Sequence, residues 1–315
     1  MQKLIKLIAA VLCVCLCVGF TACTGEDKPY EAEDSKLKII CTLFPQYDFV
    51  REIAGDKADI TLLLTPGTDS HSYDPSPVDM VKINECDLFI FTGELMEGWA
   101  SDVVSGLEKN VTVLNVSEGL ELSAVENGHE HEKEIHEHSV DPHVWTNPAN
   151  AMEIVGKISS ILCEIDPQNA SFYKSNEDAY LKKLEELDRN LIEITASAQY
   201  KKIVMCDRFA LHYFCKRYNL EYVAAFDSCT ADTEPSPAVI VKITNEVKEN
   251  NISAVFAAEL SNRKVAEAVA QQTGAKVLEL HSCHNLSADD FNAGETYLSL
   301  MQRNAENLKI ALGVE

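Results

Sequence analysis

The stretch "YLKKLEELDRNLIEI" (residues 180–194) sets Tyr180, Leu184, Leu187, Leu191 and Ile194 at four- and three-residue steps, with Lys182, Lys183, Glu185, Glu186 and Arg189 filling the opposite face. That spacing lays an apolar stripe along one side of a 3.6-residue helix, so the segment reads as a long amphipathic helix with one buried face. On either side, short β-rich runs alternate with helical patterns. Upstream the strands fall near 38–43, 60–64, 88–91 and 111–116, and downstream near 202–206, 221–226, 254–257 and 276–280. Such alternation predicts parallel sheets covered by helices. The expected fold is α/β: two lobes, each a roughly four-stranded parallel sheet with flanking helices, joined by a long rigid helix. The lobes run over 37–165 and 200–315, with the connecting helix in 166–199 and an earlier helix capped at Asn147-Pro148. A helix of this length is a stiff spacer, so large lobe closure is not expected. "DPSPVDMVKI" (74–83) and "EPSPAVIVKI" (234–243) echo each other, each placing Ser before Pro where a helix begins.

The chain opens with two lysines, an apolar run from Leu7 to Phe20, then small residues and an acidic polar tract. This is a secretory leader over 1–22, whose apolar run is too short to span a bilayer. The sequence Phe20-Thr21-Ala22-Cys23 resembles a bacterial lipobox with Phe where Leu is usual. Cys23 is therefore the expected lipid anchor, and 23–36 an acidic tether too polar to join a core. The location expected is extracytoplasmic, anchored to the cell membrane. With 50 acidic against 27 basic residues the chain carries a formal charge of −23, which excludes nucleic acid as a natural partner and suits attraction to cations. Of 11 cysteines, three leave with the leader and Cys23 takes the lipid, so seven remain in the folded part. An odd count in an exported chain prevents complete pairing.

In open parallel sheets, ligands bind beyond the carboxyl ends of the strands. His71 follows the second strand in "TPGTDSHSYDPSP", and His143 follows the fourth in "DPHVWTNP". In the second lobe Cys206-Asp207 ends the first strand, Glu259 follows the third and His281 follows the fourth in "LELHSCHN". Metal-capable groups from both lobes thus face one cleft. One histidine after a strand is usually only a hydrogen-bonded residue; the shared topological position is what points to a site.

"FPQYDFVREIAGDKADITLLLTPGTDSHSYDPSPVDMVKINECDLFIFTG", "DPHVWTNPANAMEIVGKI", "GAKVLEL" and "YLSLMQRN" resemble the zinc- and manganese-type solute-binding lipoproteins of bacterial ABC importers. The resemblance implies two lobes on a rigid helical backbone and one metal ion held in the cleft by four side chains. By position, it makes His71 and His143 the two ligands from lobe one. Where the family usually has a third His, this chain has Cys206, and where an Asp or Glu usually follows the last strand, it has His281. A variant subgroup with "DRF" and "HSCHN" segments is the more similar one.

Three imidazoles with a thiolate make a tetrahedral zinc site, and the thiolate disfavours manganese. If Cys206 is core, the fourth position falls to water, Asp207 or Glu259. His284 is a reserve ligand, and His212, inside a helix, reads as structural. The resemblance also implies a disulfide between Cys229 and Cys283.

The segment "GHEHEKEIHEHSVDPHVW" (128–145) holds five of nine histidines. His143 leads into a capped helix. His129, His131, His136 and His138 sit in a Glu-rich loop over 127–140 with no apolar face, and can hold zinc only loosely. A protease site is excluded, because His131 and His136 stand five apart where the HExxH helix needs four, and no GxSxG or Walker motif is present. The chain is expected to be a monomeric zinc receptor, not an enzyme, that delivers its cargo to an ABC permease. Manganese or iron is the alternative cargo, and surface adhesion the alternative role.

Overall fold

The computed structural model describes residues 36–314 except 69, 109, 124–139 and 227–234. The leader, Cys23, the tether as far as 35, His129, His131, His136, His138 and Cys229 lie outside the described residues.

Lobe one runs β1 (Leu37–Cys41), α1 (Phe44–Ala54), β2 (Ala58–Leu62), α2 (Pro77–Asn84), β3 (Leu88–Phe91), α3 (Ala100–Gly106) and β4 (Thr112–Asn115). Two long helices follow, α4 (Pro148–Ile165) and α5 (Ala170–Ser197). Lobe two runs β5 (Lys202–Arg208), α6 (His212–Tyr218), β6 (Glu221–Phe226), α7 (Pro237–Glu249), β7 (Ala254–Ala257), α8 (Lys264–Thr273) and β8 (Lys276–Glu279). The chain ends with α9 (Ala288–Ala293) and α10 (Tyr297–Leu312). Both sheets are four-stranded and parallel, in orders β2-β1-β3-β4 and β6-β5-β7-β8. The α/β architecture expected from the strand–helix alternation is therefore the one observed. None of the described helices is long and apolar enough to cross a membrane.

The period-two alternation of each strand sorts its side chains between two cores. Ile39, Cys41, Leu88 and Ile90 of lobe one, and Ile203, Met205, Ala254 and Phe256 of lobe two, face a common apolar cluster that also holds Tyr180, Leu184, Leu187, Leu191 and Ile194 of α5. The stripe that marked α5 in the sequence is thus buried against both lobes. Their opposite faces close smaller cores, Ile40, Phe89 and Phe91 under α2 and α3, and Val204, Cys206, Val255 and Ala257 under α7 and α8.

A partly buried ion pair fixes α5 to lobe two. Arg217 donates from Nε to Asp188 Oδ1 at 2.6 Å and from Nη2 to Oδ2, and Tyr218 Oη donates to Oδ1 at 2.7 Å. Bidentate guanidinium–carboxylate geometry holds direction as well as distance. Burial raises the Asp188 carboxyl, but these three donors bring it below its usual range on balance.

Candidate metal centre

Loops beyond the carboxyl ends of both sheets supply the site. His71 sits in a 3-10 turn over Ser70–Ser72, after a Pro66-Gly67 turn whose glycine adopts φ +85. His143 precedes the 3-10 turn Val144–Thr146 and is 1% exposed. His284 follows β8 across a tight turn in which Cys283 takes φ +64. The rings of His71 and His143 lie 5.5 Å apart centre to centre, those of His143 and His284 6.0 Å, and those of His71 and His284 6.2 Å. A tetrahedral zinc ion bonded to imidazole nitrogens at about 2.0–2.1 Å would hold the ring centres roughly 5 Å apart. The three centre-to-centre spacings stand within about 1 Å of that value. No three His, Cys, Asp or Glu among the described residues are drawn up at ligand distance, so the rings must move inward to share an ion.

Carboxylates orient two of the imidazoles. His143 Nδ1 lies 2.6 Å from Asp141 Oδ1, which also accepts the His143 backbone N–H at 2.8 Å. With Nδ1–H donating, Nε2 keeps its lone pair for a metal, the usual carboxylate–histidine–metal arrangement. Burial would raise the Asp141 carboxyl, but the neighbouring His143 and its hydrogen bonds lower it on balance.

His284 is held in the same way through a relay. Its Nδ1 lies 2.5 Å from Ser282 Oγ and 3.2 Å from Glu259 Oε1, and the Ser282 hydroxyl donates to Glu259. Glu259 also accepts the Ser282 backbone N–H at 2.9 Å. Burial raises the Glu259 carboxyl, yet the adjacent His281 and His284 rings pull it well below the usual range. Leu260, directly after Glu259, shares the left-handed backbone of Cys283, with φ +59. A non-glycine residue in that region costs roughly 1–2 kcal/mol. Both connections that build this half of the site carry that strain, as functional loops often do.

His281 is placed differently. Its Nδ1 accepts the Cys283 backbone N–H at 2.9 Å, so in the neutral ring the proton resides on Nε2, which is buried with no hydrogen-bond partner among the described residues. A metal at Nε2 would displace that proton and force one onto Nδ1, against the Cys283 N–H. Its backbone is pinned by Asn304, which accepts from His281 N at 2.8 Å and donates to His281 O at 2.7 Å.

Cys206 lies on the outer face of β5, packed with Val204, Ile243, Val255 and Ala266. Burial, with Asp207 beside it, pushes its thiol up to about 12, so without a metal the group is a protonated thiol. Asp207 accepts from Ser261 Oγ and from the Arg208 backbone N–H at 2.9 Å. A cavity of about 560 Å³ opens beside the rings, lined by His71, His284, Cys206, Asp207 and Arg208 among others. That is room for many waters, so a ligand position facing this cavity would be open to solvent. His212, first residue of α6, stands near enough to Asp141 to lower its carboxyl. Cys283 is fully buried and forms no disulfide with another described residue.

A two-lobed α/β fold about a long helix, with imidazoles from both lobes meeting in the cleft, is an arrangement able to gather round a metal ion. Residues 39–311 match the family described as zinc-uptake complex component A, periplasmic (ZnuA), and the chain belongs to that family. It is 33% identical to the zinc-binding lipoprotein AdcA of Streptococcus pneumoniae over 98% of this chain, but spans only 61% of that longer protein. It is 31% identical to the high-affinity zinc uptake system protein ZnuA of Bacillus subtilis, covering 96% of this chain and 97% of that one. The Zn(II)-bound ZnuA-like domain of S. pneumoniae AdcA superposes with a TM-score of 0.75 at 31% identity, covering 88% of this chain and 99% of that domain.

Proposed function

We propose that this chain is an extracytoplasmic receptor that binds zinc in its cleft and delivers it to an ABC permease, as a monomer anchored through a lipid on Cys23. The observation that carries the reading is the cluster of His71, His143 and His284, in which His143 and His284 turn Nδ1 toward Asp141 and toward Ser282 with Glu259. Such a set suits zinc: neutral imidazoles at wide angles favour four-coordination, and hard octahedral ions prefer more oxygen. His284 therefore takes the ligand role that sequence position alone gave to His281, and water replaces Cys206 in the fourth place. The family match and the two zinc-binding relatives support zinc as cargo. The domain division at 165 and 199 follows the same reading, with α5 as the spacer between lobes.

Competitive titration of the mature protein with zinc and manganese, read by native mass spectrometry on wild type and His143→Ala, tests this. One zinc that outcompetes manganese and is lost in the variant is expected. Equal, weak zinc binding by both proteins would move the metal out of the cleft and overturn the reading.

A further inference from the structure

The two histidines of lobe one are carried on loops whose anchors belong to lobe two. Asn285, fully buried next to His284, donates from Nδ2 to Thr65 O at 3.1 Å and to Thr68 O at 2.6 Å, the two ends of the turn that leads to His71. Its Oδ1 accepts the Leu286 backbone N–H at 2.8 Å, which fixes the amide's orientation. Gly67 N donates back to Leu286 O at 2.8 Å. The same pattern recurs at the other histidine. Tyr213 of α6, 3% exposed, donates from Oη to Asp141 O at 2.8 Å and accepts the Ser123 backbone N–H at 3.0 Å. Asp141 is the carboxylate that orients His143. Between them Trp145 Nε1 donates to Ser282 O at 2.8 Å, tying the residue two past His143 to the residue two before His284.

We propose that Asn285 and Tyr213 are positioning residues for the metal centre, each holding from lobe two the backbone beside one lobe-one histidine. The inference rests on the receptor reading and adds to it that the site is assembled by this seam, not by either lobe alone. Rings whose centres are already held within about 1 Å of the spacing round a zinc ion lose little entropy on closing on it, which favours slow release. Zinc then leaves when the seam opens, so whatever separates Asn285 from the His71 turn, or Tyr213 from the Asp141 loop, discharges the site.

The test measures zinc release to an excess of chelator by stopped flow, with apo-protein thermal midpoints alongside. Asn285→Ala and Tyr213→Phe should each release zinc about tenfold faster, the effect of one or two lost buried hydrogen bonds, with association nearly unchanged. Asn285→Ser is the smaller change should Ala fail to fold. A purely structural role would act alike in every background. Positioning predicts that Asn285→Ala adds nothing to the zinc affinity of His71→Ala, and Tyr213→Phe nothing to that of His143→Ala, while each still acts on the other histidine's variant. Wild-type release rates, or effects that add regardless of background, overturn the proposal and leave the receptor reading intact. If His71→Ala and His143→Ala themselves keep wild-type zinc affinity, the receptor site is wrong and the seam has no metal to position.

Discussion

Lobe one and lobe two repeat one another in sheet order, and Ser76 and Ser236 open matching helices, accepting the Asp79 and Val239 backbone N–H groups at 3.3 and 3.4 Å. Their chemistry does not repeat. In the proposed site, lobe one would supply two histidines from the connections after β2 and β4, and lobe two Glu259 after β7 and His284 after β8. The echo lies in the strands and helices that build the two lobes. The site lies in connections that the echo leaves free to differ.

Removing the candidate ligands one at a time tests this difference most directly. His284→Ala should lower zinc affinity by about a hundredfold or more and His281→Ala by less than tenfold, measured by competition against a chelator of known affinity. The reverse order would return the lobe-two ligand to His281. Asp141→Asn should cost about ten- to a hundredfold in affinity through the orientation of His143. The Asp141 carboxyl is held below its usual range, so its contribution to stability is fully present above about pH 4 and is lost only as pH falls through its lowered folded value. Zinc affinity should fall steadily with acidification, as protons compete for imidazole nitrogen. An affinity that does not change with pH would argue against imidazole ligands.

Cys206→Ser separates the two lobes' roles further. Zinc affinity should stay within about threefold, while a buried hydroxyl in an apolar core costs about 1–3 kcal/mol in denaturant unfolding. A large loss of zinc with unchanged stability would make Cys206 a ligand after all. The smallest effect is expected from deleting residues 128–137. The tight site should be spared and total zinc stoichiometry should fall, because three of the loop's histidines, His129, His131 and His136, are removed. Unchanged stoichiometry and unchanged uptake at scarce zinc would leave the loop without a role in capture.

Much of this was legible in order along the chain. The stripe of α5 announced a buried helical face because helix periodicity is local, and it now lies in the core shared by both sheets. The β-rich runs announced eight strands for the same reason, and all eight are present. His71 and His143 stood out as candidates because each follows a strand at the end of a parallel sheet where ligands gather, and the structure brings their rings to 5.5 Å. His284 was harder. It and His281 share one tetrapeptide, and sequence gives no sign of which ring faces the cleft. The turn decides that, through left-handed Cys283, which sends its N–H to His281 Nδ1 and leaves His284 on the Ser282 hydroxyl.

Strands, helices and the spine were readable along the chain because each is encoded by neighbours within a few positions, and the same local reading proposed the two lobe-one histidines as ligands. Tertiary structure decided the rest. Cys206 falls in a core because β5 turns that face toward α7 and α8. Asn285 meets Thr65 and Thr68 across more than two hundred residues of chain. Contacts of that range depend on how two sheets are set about one helix, and no local pattern carries that information.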